Sequence, residues 1–281
     1  MLKFQLFRIK IYPLQQRKLF EPDMEKHEML RKLIDSLPSA ELRKGMTWHL
    51  GNLTRIDDKG LYFRVGRTSK STLEIYDKDK GSFLDQEFPT APYTHVVVDL
   101  YLEICAIAHK STLSQKTSGI SRQLKRLFNE SEEAKSIGVE IEIDEIKDPE
   151  DFITHMKSAY SISKFWVTVA RPNPFDVDGD FIKPFQSLVE EAKSDTGKAE
   201  LKGENLNSDT LSSLARSAAA TGDDAAAWLK PSQEERQLKK QLKENTVNVS
   251  QESIDDHDAL GTLLNSVRTM YEKIRGDGKN Q

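Results

Sequence analysis

The spacing of apolar and polar residues along the chain predicts strands and helices that follow one another. Alternating or short unbroken apolar runs predict strands at residues 2–11, 46–55, 61–65, 73–76, 95–108, 139–146, 162–170 and 246–249. Helical spacing, or capping residues before a polar run, predicts helices at residues 25–37, 119–129, 148–159, 181–192, 209–220, 223–229, 231–242 and 256–274. The turn at residues 57–60 joins two strands, with glycine where a positive φ is needed.

Two of the predicted strands depart from simple alternation. In residues 2–11 the apolar positions change phase near Phe7, which we interpret as a bulge or a switch of face. Residues 95–108 fit either one long strand or a hairpin pair with one fully buried face. The residues expected to share that face are Val96, Val98, Leu100, Leu102, Ile104 and Ala106.

The order of these elements indicates an α+β fold, with a mixed sheet, flanking helices and a helical C-terminal region. We expect an N-terminal α+β domain over residues 1–92. A central α/β block that carries a basic loop and helix would follow over residues 93–195. Residues 196–281 would then form a helical region that packs back on the core.

The composition favours a cytoplasmic protein. The chain has 281 residues, of which 37% are hydrophobic and 31% charged, as in soluble globular proteins with polar loops. No apolar run reaches the roughly 18–20 residues that span a bilayer. The first 14 residues mix apolar and basic types and lack the unbroken apolar stretch of a signal peptide. The single cysteine, Cys105, lies in an apolar run, which favours a small buried residue over a reactive thiol.

The charge is distributed unevenly along the chain. The net charge is −4. Residues 1–128 contain 22 Lys and Arg against 15 Asp and Glu, whereas the remaining residues contain 19 against 30. A basic half in an acidic protein suggests a surface that faces a polyanion. The alternative is that the two halves attract each other, within the fold or across a dimer.

A loop rich in Ser, Thr and Lys, with the basic helix after it, is the strongest functional candidate. Lys and Arg neutralise phosphates, hydroxyl groups donate hydrogen bonds to them, and helix N-termini favour anions. The expected phosphate-contacting residues are Lys110, Lys116, Arg122, Lys125 and Arg126, with Arg64, Arg67 and Lys70 in support. The alternative is a solvated loop followed by an ordinary polar helix face.

Two patterns admit a nuclease. Arg43 and His49 have the spacing of an RNase class that uses an Arg and a His from one helix, although the residues between them favour a strand. Glu145 and Lys147, with Asp99 upstream, form the minimum of a metal-dependent nuclease, in which carboxylates hold Mg²⁺ and Lys orients water. Both patterns are common by chance.

Two further motifs fail at particular positions. Asp176, Asp178 and Asp180 begin like a Ca²⁺ loop, but the required glycine and distal glutamate are absent, so we interpret them as a solvated turn. Residues 209–229 resemble a helix-turn-helix in outline. Their second helix carries no base-reading Arg, Asn or Gln, so an αα corner anchored by Trp228 is favoured.

The order of several short segments is also informative. These segments are His49-Leu50-Gly51-Asn52-Leu53 with the return Leu61-Tyr62-Phe63, Phe88-Pro89, residues 95–108, the loop 112–117, and Val139-Glu140-Ile141-Glu142 followed by an acidic helix and residues 165–169. Over residues 45–190 this order resembles the RexA-like proteins of phage exclusion and, more distantly, the KwaB-like proteins of anti-phage defence. The resemblance implies sequence-independent binding of duplex DNA, a homodimer and a role in phage-triggered growth arrest.

Three hypotheses follow from these observations. We favour a non-catalytic protein that binds duplex DNA in a phage defence or exclusion system, without a cofactor or metal. A membrane-protein partner encoded nearby would fit this hypothesis. The second hypothesis is a metal-dependent nuclease or RNase-type toxin effector. The third is a non-enzymatic assembly subunit of a defence complex, whose acidic C-terminal half docks on a partner.

Overall fold

The computed structural model describes residues 1–14, 24–170, 182–192, 194, 196–242 and 245–276. The candidate Ca²⁺ loop at Asp176, Asp178 and Asp180 lies outside these residues. The helices of the described part are α1 (Lys26–Asp35), α2 (Thr117–Glu130), α3 (Glu132–Ile137), α4 (Glu150–Lys157), α5 (Ile182–Glu191), α6 (Ser208–Thr221) and α7 (His257–Arg275). Its strands are β1 (Leu2–Pro13), β2 (Ser39–Arg43), β3 (Met46–Arg55), β4 (Gly60–Asp77), β5 (Ser82–Thr90), β6 (Tyr93–Asp99), β7 (Ile104–Ala108), β8 (Val139–Glu145), β9 (Ser161–Ala170), β10 (Thr196–Lys202), β11 (Ala225–Lys230), β12 (Leu238–Gln241) and β13 (Asn248–Gln251).

The strands form two sheets. The larger has nine strands, with the main order β13-β1-β7-β6-β4-β3-β2, while β8 pairs with β1 and β5 pairs with β4. The smaller has four strands in the order β10-β9-β11-β12. The α+β class and the C-terminal helix are therefore confirmed. The described strand pairs are antiparallel rather than mixed. Short turns of a few residues, which can join antiparallel strands only, connect β2 to β3, β3 to β4, β4 to β5 and β6 to β7.

Strand β1 lies inside the larger sheet and is buried on both faces. Phe4 and Leu6 face one hydrophobic core, whereas Phe7 and Ile9 face the other. The pairing of β1 with β7 and β8 keeps an unbroken register, so of the two interpretations near Phe7 the bulge is wrong, whereas the apolar residues do change from one face to the other there. Adjacent apolar residues here reflect burial on both faces of the strand.

The predicted central strand is the hairpin of β6 and β7, one of the two expected forms. The expected single face is wrong, because Val96 and Val98 line one core whereas Ile104 and Ala106 line the other. Asp99 at the end of β6 pairs with Ile104. After the turn, the even-numbered residues of β7 therefore face the core opposite to the one that the even-numbered residues of β6 face.

Of the helices predicted near the C-terminus, α6 is present, and the two that were expected directly after it are wrong. Helix α6 ends at Gly222, which has a φ of 79° as a C-cap glycine often does, but its N-cap is Asn207 rather than Ser208. Residues 223–229 and 231–242 contain β11 and β12 instead of helices, so neither an αα corner nor a helix-turn-helix is present there. Alanine favours helices, but the alanines of β11 are buried between β9 and β12, and this packing outweighs the propensity.

Two hydrophobic cores lie on opposite faces of the larger sheet. Helices α1, α2 and α3 cover one face. The smaller sheet, with α4, α6 and α7, covers the other. Strands β4 and β6, on either side of residue 92, pair with each other, and so do β9 and β10 on either side of residue 195. The segments expected as separate domains therefore share sheets.

A buried arginine connects the first strand to the β6–β7 turn and to α7. Arg8 Nη2 lies 3.1 Å from Glu103 Oε2, and both side chains are 1% exposed. Arg8 Nη1 also donates hydrogen bonds to the carbonyl oxygen of Leu102 and to Tyr271 Oη, the latter at 3.2 Å. One guanidinium thus connects β1, the β6–β7 turn and α7.

Candidate nucleic-acid interface

Helix α2 presents the predicted basic residues near one end of the larger sheet. Its apolar residues are buried in the core that it shares with β8, so the predicted amphipathic helix is confirmed. Lys116 is the N-cap, and Lys116, Arg122 and Arg126 are exposed. Lys110 is exposed in the loop that leads from β7 to this helix.

Arg126 joins α2 to the turn between β2 and β3. Its Nη2 donates a hydrogen bond to the carbonyl oxygen of Leu42 at 2.8 Å. The next two residues, Arg43 and Lys44, are exposed at this turn. Sequence reasoning placed neither of them at the candidate interface. In the sequence, these two residues could be noticed only as a pair of basic residues before a turn glycine, Gly45, which has a φ of 74°.

Arg67 joins the same turn to the loop before α2. Its Nη2 donates a hydrogen bond to the carbonyl oxygen of Thr112 at 3.3 Å, and its Nη1 lies 3.7 Å from Met46 Sδ. The Nε atom of Arg67 is buried and has no hydrogen-bond partner among the described residues, which is an unfavourable arrangement for a donor.

These contacts hold three basic segments together. We call the exposed cationic residues of these segments, together with Arg67, the basic ridge. It lies where β3 and β6 begin and β4 leaves the larger sheet. Its members are Arg43, Lys44, Arg67, Lys110, Lys116, Arg122 and Arg126. Three chain segments that are distant in sequence therefore contribute positive charge to one end of the sheet.

Two of the expected residues have carboxylate partners instead. Lys125 Nζ donates a hydrogen bond to Glu142 Oε1 at 2.5 Å and also contacts Oε2. Lys70 Nζ lies 3.1 Å from Glu87 Oε2, on the hairpin of β4 and β5. Each pair reduces the positive field that its lysine contributes, so neither residue is included in the basic ridge.

Two glycines leave a hollow beside the basic ridge. Gly51 on β3 pairs with Arg64 on β4, and Gly66 lies two residues further along, so all three share one face. A Cβ atom at Gly51 would meet nothing within 4 Å, whereas one at Gly66 would lie 2.5 Å from the carbonyl oxygen of Pro92. The hollow has a volume of about 170 Å³ and is lined by His49, Gly51, Asn52, Arg64, Gly66, Arg67, Thr68, Ala91, Pro92 and Tyr93.

Arg64 is held in place at the rim of this hollow. Its Nε donates a hydrogen bond to Tyr62 Oη at 3.1 Å, and its guanidinium lies 4.7 Å from the centroid of the Tyr93 ring. Tyr62 Oη is in turn 2.8 Å from His95 Nδ1. Burial, followed by the charges of Arg64 and Lys110, lowers the pKa of His95. The lowered pKa favours the neutral form of the imidazole, which lies in a positive local field.

The residues of the RNase pattern lie on strands rather than on one helix. Arg43 ends β2, and His49 lies within β3. His49 Nδ1 is 2.8 Å from Ser39 Oγ and His49 Nε2 is 3.0 Å from Thr68 Oγ1. Both ring nitrogens thus have hydroxyl partners at the edge of the hollow.

Two of the other nuclease candidates, Glu145 and Lys147, border a cleft of about 300 Å³ between α2 and β8, whereas Asp99 does not line it. Glu145 accepts a hydrogen bond from a glutamine of β1 at 2.9 Å, and Lys147 Nζ lies 2.5 Å from Asp224 Oδ1. Asp99 pairs with Arg268 instead. Among the described residues, no group of three or more His, Cys, Asp or Glu side chains could hold a metal ion. The three candidates therefore have separate partners.

The fold and the site define an α+β protein with a cationic surface at one end of its larger sheet. The chain belongs to the family described as Domain of unknown function (DUF4747), whose model matches residues 8–264. That range contains the whole basic ridge and the hollow. None of the curated proteins searched matches the chain. In the parts of the chain that are described, no helix is long and apolar enough to cross a membrane.

Proposed function

We propose that this protein binds duplex DNA, without regard to sequence, through the basic ridge. The observation that carries the proposal is the pair of arginine contacts that gather three segments into one cationic surface. Arg126 bonds the β2–β3 turn, and Arg67 contacts both that turn and the loop after β7. Such a surface neutralises phosphates and releases their counterions, and contacts of this kind carry no sequence information.

The hollow supports the proposal, because it offers a place for one phosphate group. None of its described lining residues is acidic. The two terminal nitrogens of Arg64 make no hydrogen bond to described residues. An arginine at such an opening can form charge-assisted hydrogen bonds with a phosphate.

The test measures the affinity for a fluorescent duplex by polarisation over a range of salt concentrations. We expect log K to fall with log salt by a slope of about 0.9 per phosphate contact, with equal affinity for duplexes of unrelated sequence. Simultaneous Arg43→Glu, Lys44→Glu and Arg122→Glu substitutions should abolish binding. All three side chains are exposed, so the fold should be retained.

A matched control makes the same change of charge elsewhere on the molecule. Lys78, Lys157 and Lys273 are exposed and lie outside the basic ridge, so their replacement by Glu should leave most of the affinity. Equal losses in the two triple variants would show that only net charge matters. Unchanged binding by the ridge variant would refute the proposed surface.

From the resemblance to RexA-like proteins we further propose that the protein acts as a homodimer in the bacterial cytoplasm, in phage defence or exclusion. A membrane-protein partner encoded nearby belongs to the same proposal. Expression in a sensitive host should reduce phage plaque formation, and the ridge variant should lose that effect. Light scattering after size exclusion measures the mass in solution. Normal plaque formation or a monomeric mass would count against this part of the proposal.

A further inference from the structure

The smaller sheet has one face that described helices cover and one face, here called the open face, on which none of them packs. Phe165 and Val167 on β9 point into the core that the sheet shares with α4 and α6. Side chains alternate along a strand, so Lys164 and Trp166 point to the opposite side. No described helix packs on that side, since Phe185 of α5 also joins the core.

Two tryptophans stand next to each other on the open face. Trp166 pairs with Ala226 on β11, and Trp228 pairs with Lys164 on β9. The two indoles thus occupy neighbouring strands, offset by two residues, roughly 7 Å apart at their bases. Both are half-buried. Trp228 was expected to anchor a core, but it lies on the outer side of the sheet.

Lysine side chains surround the two rings. Lys164 Nζ lies 4.7 Å from the centroid of the Trp228 ring, and Lys198 Nζ lies 4.5 Å from that of Trp166. Lys239 Nζ is close to both, at 5.2 Å from Trp228 and 5.9 Å from Trp166. The open face therefore combines flat aromatic surfaces with positive charge.

The carboxylate of Glu200 lies on this face, and it is already paired. Glu200 accepts a salt bridge from Lys164 at 2.9 Å and another from Lys202 at 3.0 Å. Lys198 and Lys239 are exposed and have no ion-pair partner among the described residues. They remain available to an anion that approaches the tryptophans.

We propose that this open face, the tryptophan platform of Trp166, Trp228, Lys198 and Lys239, binds single-stranded nucleic acid. Each indole would stack one unpaired base, and the lysines would pair with the adjoining phosphates. Stacking of a base on an aromatic ring is stronger than an exposed cation–π contact, so a base displaces the lysine above the ring. The displaced lysine ammonium group then lies beside the backbone of the bound strand and pairs with a phosphate.

The platform and the basic ridge recognise different forms of nucleic acid. A duplex hides the faces of its bases, so it cannot stack on the tryptophans, whereas a single strand exposes them. Binding of a single strand by the tryptophan platform therefore does not depend on binding of a duplex by the basic ridge. Single strands of DNA and of RNA both offer unpaired bases and phosphates, so the platform should bind either.

The test follows intrinsic tryptophan fluorescence of the full chain during titration with oligo(dT) and oligo(U) of 12 nucleotides. We expect quenching that saturates, with either strand, and that weakens as salt is raised. Trp166→Leu and Trp228→Leu should each lower the affinity by roughly 5- to 100-fold, measured with labelled strands. Absence of binding by both strands overturns the proposal.

Two controls separate stacking from folding and from general charge. Lys198→Glu with Lys239→Glu alters only exposed residues and should also weaken strand binding, so it decides the question if a tryptophan variant misfolds. Trp48→Phe, in the opposite core, should leave the affinity unchanged. The ridge triple variant should still bind single strands. Platform variants that bind as tightly as the wild type overturn the proposal, whatever the ridge does with duplexes.

Discussion

Replacement of Arg268 by methionine should remove a large share of the stability of the fold. Arg268 Nε lies 2.6 Å from Asp99 Oδ2, and its Nη1 lies 2.9 Å from Asp57 Oδ2. The Asp99 side chain is only 1% exposed. The variant would therefore leave a buried carboxylate without its cation, while methionine keeps much of the apolar packing.

The magnitude follows from the environment of each carboxylate. Breaking a buried pair by removing one partner costs about 3–5 kcal/mol. Asp99 retains two backbone donors, at 3.0 and 2.8 Å, which favours the lower end of that range. Asp57 is 42% exposed, and a solvent-screened pair adds at most about 1 kcal/mol. We therefore expect a loss of about 3 kcal/mol, or roughly 6–12 °C in Tm for a chain of this size.

Urea unfolding, followed by circular dichroism and tryptophan fluorescence, measures this loss. The control is Arg55→Met, because the Arg55–Asp35 pair is 3.5 Å long and its side chains are 64% and 36% exposed. It should change the free energy of unfolding by less than about 1 kcal/mol. Adding Asp99→Asn to Arg268→Met should restore part of the stability. Equal effects of Arg268→Met and Arg55→Met would refute the reasoning.

The same pair makes an acid-dependent prediction. The hydrogen bond from Arg268 lowers the pKa of Asp57 below its ordinary value, despite some opposing desolvation. A carboxyl whose pKa is lowered by folding contributes stability above its unfolded pKa of about 3.9, and this contribution is lost as the pH falls through the folded value. The wild type should therefore lose stability more steeply than Arg268→Met below about pH 4.

Three further predictions test other parts of the fold. Gly66→Ala should lower the free energy of unfolding by about 1–3 kcal/mol through overpacking, whereas Gly51→Ala, whose Cβ meets nothing within 4 Å, should be nearly neutral; thermal unfolding compares them. Lys10→Met should destabilise by about 3 kcal/mol, because Lys10 is buried between two aspartates, while exposed Lys32→Met should have little effect in the same urea assay. Cys105 should resist a thiol reagent until the protein unfolds, since burial raises the pKa of its thiol well above the ordinary value; rapid labelling of the native protein would contradict this.

Local periodicity predicted the elements whose apolar residues face one core. Helix α2 and the closing helix α7 each have a continuous apolar face, and spacing alone identified both. Strand β11 shows the limit of that method. Its run of alanines favours a helix, and its position between β9 and β12 makes it a strand instead. Neither neighbour can be identified from the sequence of the segment itself.

The candidate site was only partly predictable for a similar reason. The charges of α2 and its loop are visible in the sequence, but their neutralisation depends on contacts across the fold. Lys125 is paired by Glu142, on another element. Arg43 lies near α2 because Arg126 of that helix donates a hydrogen bond to the carbonyl oxygen of Leu42, the residue before Arg43. Leu42 and Arg126 are 84 residues apart along the chain. Such contacts follow from strand order, which periodicity does not determine.

The position of β1 has a consequence for synthesis on the ribosome. This strand is synthesised long before its partners, since Leu2 pairs with Gln251, and Arg8 contacts Tyr271 on α7. Until those residues emerge, one edge of β1 has no β13 to pair with, and its guanidinium lacks its partner on α7. Contacts between such distant segments form slowly, and an open edge invites association between chains. The nascent protein should therefore depend on a chaperone that shields this strand until β13 and α7 have emerged from the ribosome.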